Sequence, residues 1–219
     1  MTRGEYLAYL RETYHMVRHT PRMLALAAAK CDDDRRCLRD WFIEQATDEN
    51  NHDQFCIKDI RHMGEDPTDV LGGAPLQGEW ALVCQNYFMA TYGNPAGILG
   101  VASITEGLGA TTAGGTADLL IARYRYSSDC VTFLRSHSDF ELHNLEETKR
   151  AIDELVTGPQ DVEAIIQGRR MTIIYCAQMF SDCLNHPYRA KEGIEAAALA
   201  RGRDKRHGRR SCSNLRTRP

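Results

Sequence analysis

Apolar residues recur at intervals of three and four along most of the chain, and that period commits it to helices. Tyr6, Leu7, Leu10, Tyr14 and Val17 mark one face of a segment over residues 3–19. Thr20 and Pro21 punctuate it: a hydroxyl suited to an N-cap, then a proline tolerated at the first helical position, opening a second helix through Ala29. A long helix is expected from about Asp34 to Met63, with Leu38, Phe42, Ala46, Phe55, Ile57 and Ile60 facing inward. The stretch GEDPTDVLGGAPLQG (64–78) is dense in Gly and Pro and reads as a loop. Helical spacing resumes over 79–92 and, after Gly93-Asn94-Pro95, over about 96–108. The run TTAGGTADLL is expected to break and restart the chain, before helices over 127–157 and 160–185. No alternating strand pattern is present. The expectation is an all-α bundle of six or seven helices.

At 219 residues, one domain with a real core is the natural reading. The eight cysteines form no CxxC pair, and neither a leader nor an apolar run near membrane length appears. A cytoplasmic protein with reduced thiols is therefore expected, with no disulfide between Cys31 and Cys37. The net charge of -3 is unevenly placed. From Arg201 to Pro219 eight Arg or Lys face Asp204 alone, which leaves the body near -10 by -3 minus +7. A domain over 1–190 and a basic, disordered tail over 191–219 are expected. The tail lacks stacking aromatics and the body repels phosphate, so no nucleic-acid partner is expected, and none in a membrane.

Chemistry concentrates in three helical segments. In WFIEQATDENNHDQF (41–55), Glu44, Asp48 and His52 step by four and so share a side of one continuous helix, with Glu49 three before His52 on its flank. In GILGVASITEGLGATTAGG (97–115), Glu106 is the only charge, and a carboxylate buried without a partner is costly. In TFLRSHSDFELHNLEE (132–147), His137 and Glu141 are four apart on one face, while Asp139 and His143 make a competing pair. His143 lies about 120° round an ideal helix from His137, so both meet one centre only where the helix tightens. Each cluster alone also fits a solvated or capped charge. Together, oxygen and nitrogen donors without cysteine point to iron or manganese rather than structural zinc.

These residues carry a resemblance. The spacing of Glu44 and His52, the "TEGLG" around Glu106 and "FLRSHSDFELH" resemble, in order and separation, the haem-oxygenase-like diiron oxidases, relatives of the TenA and PqqC proteins. "YHMVRHTPRML" and "NHDQFCIKDIRHMGED" extend the similarity over most of residues 10–185. The resemblance implies a seven-helix haem-oxygenase-like bundle, a homodimer, and two Fe(II) ions that activate O2 to oxidise a small amino-acid or fatty-acid substrate in specialised metabolism. It implies metal ligands at Glu44, His52, Glu106, His137, Glu141 and His143. The family pattern wants Asp and His four and seven beyond His137, where this chain has Glu141 and Asn144. Asp48 or Glu49 competes for the early carboxylate. Rival readings are a metal-independent TenA-like hydrolase or PqqC-like oxidase, a ferritin-like bundle built on Glu12-x-x-His15 and Glu49-x-x-His52, and a helical interaction protein.

Overall fold

Capping chemistry starts the first helix where the sequence turns polar. Thr2 Oγ1 accepts the Glu5 backbone N–H at 3.1 Å and Glu5 Oε2 accepts the Thr2 N–H at 2.8 Å, a reciprocal capping box ahead of α1 (Arg3–Val17). A computed structural model describes residues 1–186, excepting the side chains of residues 139–142. The basic tail lies outside the described residues. After α1 follow α2 (Thr20–Lys30), α3 (Arg36–Asp48), α4 (Asp53–His62), α5 (Thr68–Gly72), α6 (Gln77–Thr91), α7 (Gly97–Leu108), α8 (Gly114–Tyr124), α9 (Thr132–Leu155) and α10 (Pro159–Leu184). No strand occurs among the described residues. With α3–α4 and α7–α8 each counted as one interrupted helix, and five-residue α5 set aside, the described residues form seven, within the six or seven expected from spacing.

Both interruptions differ from the sequence expectation. The helix read over 34–63 breaks at residues 49–52, where Asn51 takes the left-handed region at φ 71°. Asn tolerates that region better than most residues, so the run Asn50-Asn51 ends one helix and begins the next. The run at 111–120 does not break the chain as expected. It passes through a π turn, Gly109–Ala113, straight into α8. Such turns insert one residue into a helix and often accompany functional sites.

Two apolar clusters hold the bundle. One joins Tyr6 and Leu10 of α1, Ile57 of α4, Leu120 of α8 and Leu134 of α9. The other joins Leu24 of α2, Phe42 of α3, Ala90 of α6 and Leu99 of α7. Each large side chain so buried stabilises by about 1.5–3 kcal/mol. α10 lies along α6 and α7. It crosses α7 so closely that a Cβ on Gly100 runs into the Ile165 carbonyl, and one on Gly168 into the Gly97 carbonyl.

The start of α9 is fixed from a distance. Val131 precedes it and has no side-chain cap to offer. Asp59 of α4 supplies one: Oδ1 accepts from Thr132 N at 2.9 Å and Thr132 Oγ1 at 2.5 Å, and Oδ2 accepts from Phe133 N at 2.9 Å. A carboxylate at a helix N-terminus satisfies orphan N–H groups and complements the macrodipole. Among the described residues the cysteines are free, Cys31 and Cys37 included, and no helix is long and apolar enough to cross a membrane.

Candidate metal centre

The helix carrying His137 is thus held by α4, and the helix breaks aim the other donors. Between the two apolar clusters lies a cavity of about 160 Å³, bounded by α1, α2, α3, α6, α7, α9 and α10 and by the π turn. Glu49, Glu106 and His137 line one part of it. His52 stands behind them, its ring centroid 5.3 Å from that of His137.

His137 is prepared as a ligand. Its Nδ1–H donates to the Phe133 carbonyl one turn back at 2.8 Å, which leaves the Nε2 lone pair available. The ring stacks on Phe133 with centroids 3.9 Å apart. Burial holds its pKa below the ordinary imidazole value, so the ring stays neutral. Glu106 occupies the last turn of α7, where Oε2 accepts from Thr148 Oγ1 at 2.7 Å. Burial, opposed by that bond and reinforced by Glu49 and Glu147, pushes its carboxyl up to about 8. Without a cation nearby, Glu106 therefore keeps its proton at neutral pH. His52 Nδ1 lies 3.2 Å from Glu49 Oε2. The Glu49 carboxylate so placed raises the His52 pKa despite the opposing effect of burial.

Two carboxylates and two imidazoles thus converge from the α3–α4 turn, α7 and α9. The set is hard and borderline in donor type, as iron requires. A Glu106 kept neutral by burial, and a His137 whose Nδ1 is already committed, would suit a cation at this end of the cavity. Among the described residues no group of three or more His, Cys, Asp or Glu side chains stands close enough to hold a metal ion as a cage.

The six residues predicted from sequence fare unequally. His52, Glu106 and His137 come together. Glu44 is exposed and does not line the cavity; its neighbour Gln45 is buried and does. The helix breaks between Glu44 and His52, with Asn51 left-handed, and Glu49, three residues before His52 as the spacing allows, is the carboxylate beside it. His143 has 73% of its side chain exposed and pairs with Glu147 at 3.2 Å, as a regular helix dictates for a residue about 120° from buried His137. The side chain of Glu141, like that of Asp139, lies outside the described residues. Thr148 escaped the sequence reading although it was findable: eleven residues beyond His137 is three turns, hence the same face. Of the ferritin-like pair Glu12 and His15, both are buried in α1 but neither lines the cavity, and Glu12 Oε2 instead accepts the Leu76 N–H at 2.7 Å.

A helical bundle with this connectivity is a haem-oxygenase-like fold, and solved structures share it. A domain of unknown function with a haem oxygenase-like fold from Shewanella denitrificans OS217 superposes with a TM-score of 0.79 at 22% identity, covering 84% of this chain and 79% of that one. A TenA homologue from Pseudomonas syringae pv. tomato DC3000 gives a TM-score of 0.71 at 13% identity over 85% and 81% of the two chains. At such identities the likeness speaks for the fold alone. Residues 7–175 match the family model described as iron-containing redox enzyme, and the chain belongs to that family. No curated protein matches it at a significant level.

Proposed function

We propose that this protein is a non-haem iron oxidoreductase that uses O2 to oxidise a small substrate held in the cavity. The observation that carries the reading is the convergence of Glu49, His52, Glu106 and His137 beside one buried cavity in a chain of an iron-containing redox family. These four residues would hold the first iron. Ferrous iron there supplies electrons and open coordination positions for dioxygen.

The chain's own residues do the rest. Phe133 fixes the His137 tautomer through its carbonyl, so Nε2 keeps a lone pair with which it would bind a cation. Thr148 orients Glu106 through Oε2, and Glu106 gives up its proton when positive charge arrives. Leu134, Ile98, Val101 and Met23 wall the cavity with apolar surface and exclude water from the donors.

The metal-independent hydrolase reading fares worse on an observation. Cys176 is the thiol in the cavity wall, and burial together with the charge of Glu79 pushes it up to about 12, far from a reactive thiolate.

The test is anaerobic Fe(II) titration with iron quantitation, followed by substrate-dependent O2 uptake. His137→Ala, Glu106→Gln and Glu49→Gln should each lose iron, while Glu44→Gln keeps it. Two irons per chain in the parent would support the dinuclear form. Full iron retention by His137→Ala refutes the reading.

A further inference from the structure

Two side chains of α4 meet α9 at two separate places. His52 stands at the N-terminus of α4 with helical backbone angles, and Asp59 follows seven residues on. Seven residues are two turns, so both project from one side of α4, roughly 10 Å apart along it. His52 lies against His137, with ring centroids 5.3 Å apart, while Asp59 bonds to Thr132 and Phe133 at the first turn of α9. The Phe55 ring, between them on α4, stands edge-on to His137 at 6.4 Å. The two helices therefore run antiparallel and are pinned at both ends of this stretch.

Asp59 acts on Phe133, and Phe133 acts on His137 twice. Asp59 Oδ2 accepts the Phe133 N–H at 2.9 Å. The Phe133 carbonyl accepts from His137 Nδ1 at 2.8 Å, and the Phe133 ring stacks on the imidazole at 3.9 Å. A carbonyl can only accept, so this bond requires the proton on Nδ1 and leaves Nε2 bare. Asp59 is fully buried, and its oxygens are fully employed. Oδ1 takes the N–H and the hydroxyl of Thr132, and the Tyr6 hydroxyl of α1 stands 3.4 Å from Oδ2 beside the Phe133 N–H. Two acceptor oxygens are needed for this, and an amide has only one.

We propose that Asp59 is a positioning residue for the metal centre. Through the Phe133 N–H it fixes the tautomer and tilt of His137, and through α4 it sets the spacing of His137 from His52. The proposal takes His137 as an iron ligand from the function proposed above, but the hold on the ring does not depend on iron.

Side-chain nitrogen NMR of the metal-free, full-length protein reads the tautomer. The parent should show His137 protonated at Nδ1 and bare at Nε2. Asp59→Asn keeps the shape of the side chain; its one oxygen serves Thr132, which makes two of the bonds, and its NH2 group then confronts the Phe133 N–H. His137 released in this way should shift its proton towards Nε2, and the Kd for Fe(II), measured anaerobically by competition, should rise at least about tenfold. Asp59→Ala should shift the tautomer further; where it does not fold, the isosteric Asn variant decides. Asp161→Asn is the control. Asp161 likewise accepts the N–H and hydroxyl of one threonine, Thr157, at 3.2 and 3.3 Å, beyond the other end of α9 and roughly 25 Å along that helix from His137. It should cost stability and move neither the tautomer nor the Kd. An unchanged tautomer in the Asp59 variants would overturn the proposal, and so would an equal shift in Asp161→Asn, which assigns the effect to lost stability. A parent that binds no iron ends the proposed function and leaves the tautomer result standing; a parent that binds iron while Asp59→Asn keeps its tautomer ends this proposal alone.

Discussion

Replacing Glu106 with Gln keeps the shape of the side chain and an oxygen for the Thr148 hydroxyl, and removes one titration. In the metal-free protein burial pushes the Glu106 carboxyl up to about 8, from 4.5 as a free side chain. Between those values the folded state holds a proton that the unfolded state has released, so stability is full below about 4.5 and declines as pH rises toward 8. Each unit is worth about 1.4 kcal/mol, so the whole window amounts to roughly 5 kcal/mol, of which about 3 has been lost by neutral pH. Glu106→Gln cannot lose a proton. Its stability relative to the parent should therefore rise by several kcal/mol between acid and pH 8. Urea melts of both metal-free proteins across this range measure the difference. Bound Fe(II) should reverse the trend in the parent, because the cation favours the carboxylate and its binding should release a proton at neutral pH. Parallel pH–stability curves for the two metal-free proteins would refute the argument that Glu106 is buried and short of positive charge.

Other perturbations follow from the same geometry. Asp59→Ala strips the α9 N-terminus of its carboxylate and leaves the Thr132 and Phe133 N–H groups without that acceptor. A loss of about 3–5 kcal/mol is expected, seen as a Tm lower by roughly 10 °C, and a loss under about 1 kcal/mol would count against the cap. Asn51→Ala forces a β-carbon into the left-handed region, costing about 1–2 kcal/mol, and should weaken iron binding through Glu49 and His52, whereas Asn51→Gly should retain both stability and iron. His143→Ala touches only an exposed ion pair with Glu147; stability should change by less than about 0.5 kcal/mol and iron content not at all, which quantitation will show. Gly100→Ala drives a methyl into the Ile165 carbonyl where α7 and α10 cross, so chemical denaturation should reveal a loss of about 3 kcal/mol or more.

The sequence by itself determined the helices, and with them three ionisable side chains that the fold places at or beside one cavity. Apolar spacing is a local property of 3.6 residues per turn, and it sufficed to place α1, α2, α6, α7 and α10 near their observed limits, while α9 begins five residues later than the spacing suggested. His52, Glu106 and His137 were legible for a related reason: ionisable side chains inside core-forming helices must find partners when buried. The tertiary structure decided the rest, because it depends on angles that accumulate along the chain and on neighbours distant in sequence. One left-handed residue, Asn51, breaks the presumed continuous helix, so Glu44, on the exposed face of α3, does not share a side with His52, whereas Glu49, three residues away, stays beside it. His143, two residues from Glu141, is exposed because α9 stays helical while buried His137 fixes its inward face. The cap on α9 comes from Asp59, 73 positions before Thr132, and only folding brings the two together. The cavity is likewise a space between helices from distant parts of the chain, and no single segment encodes a space.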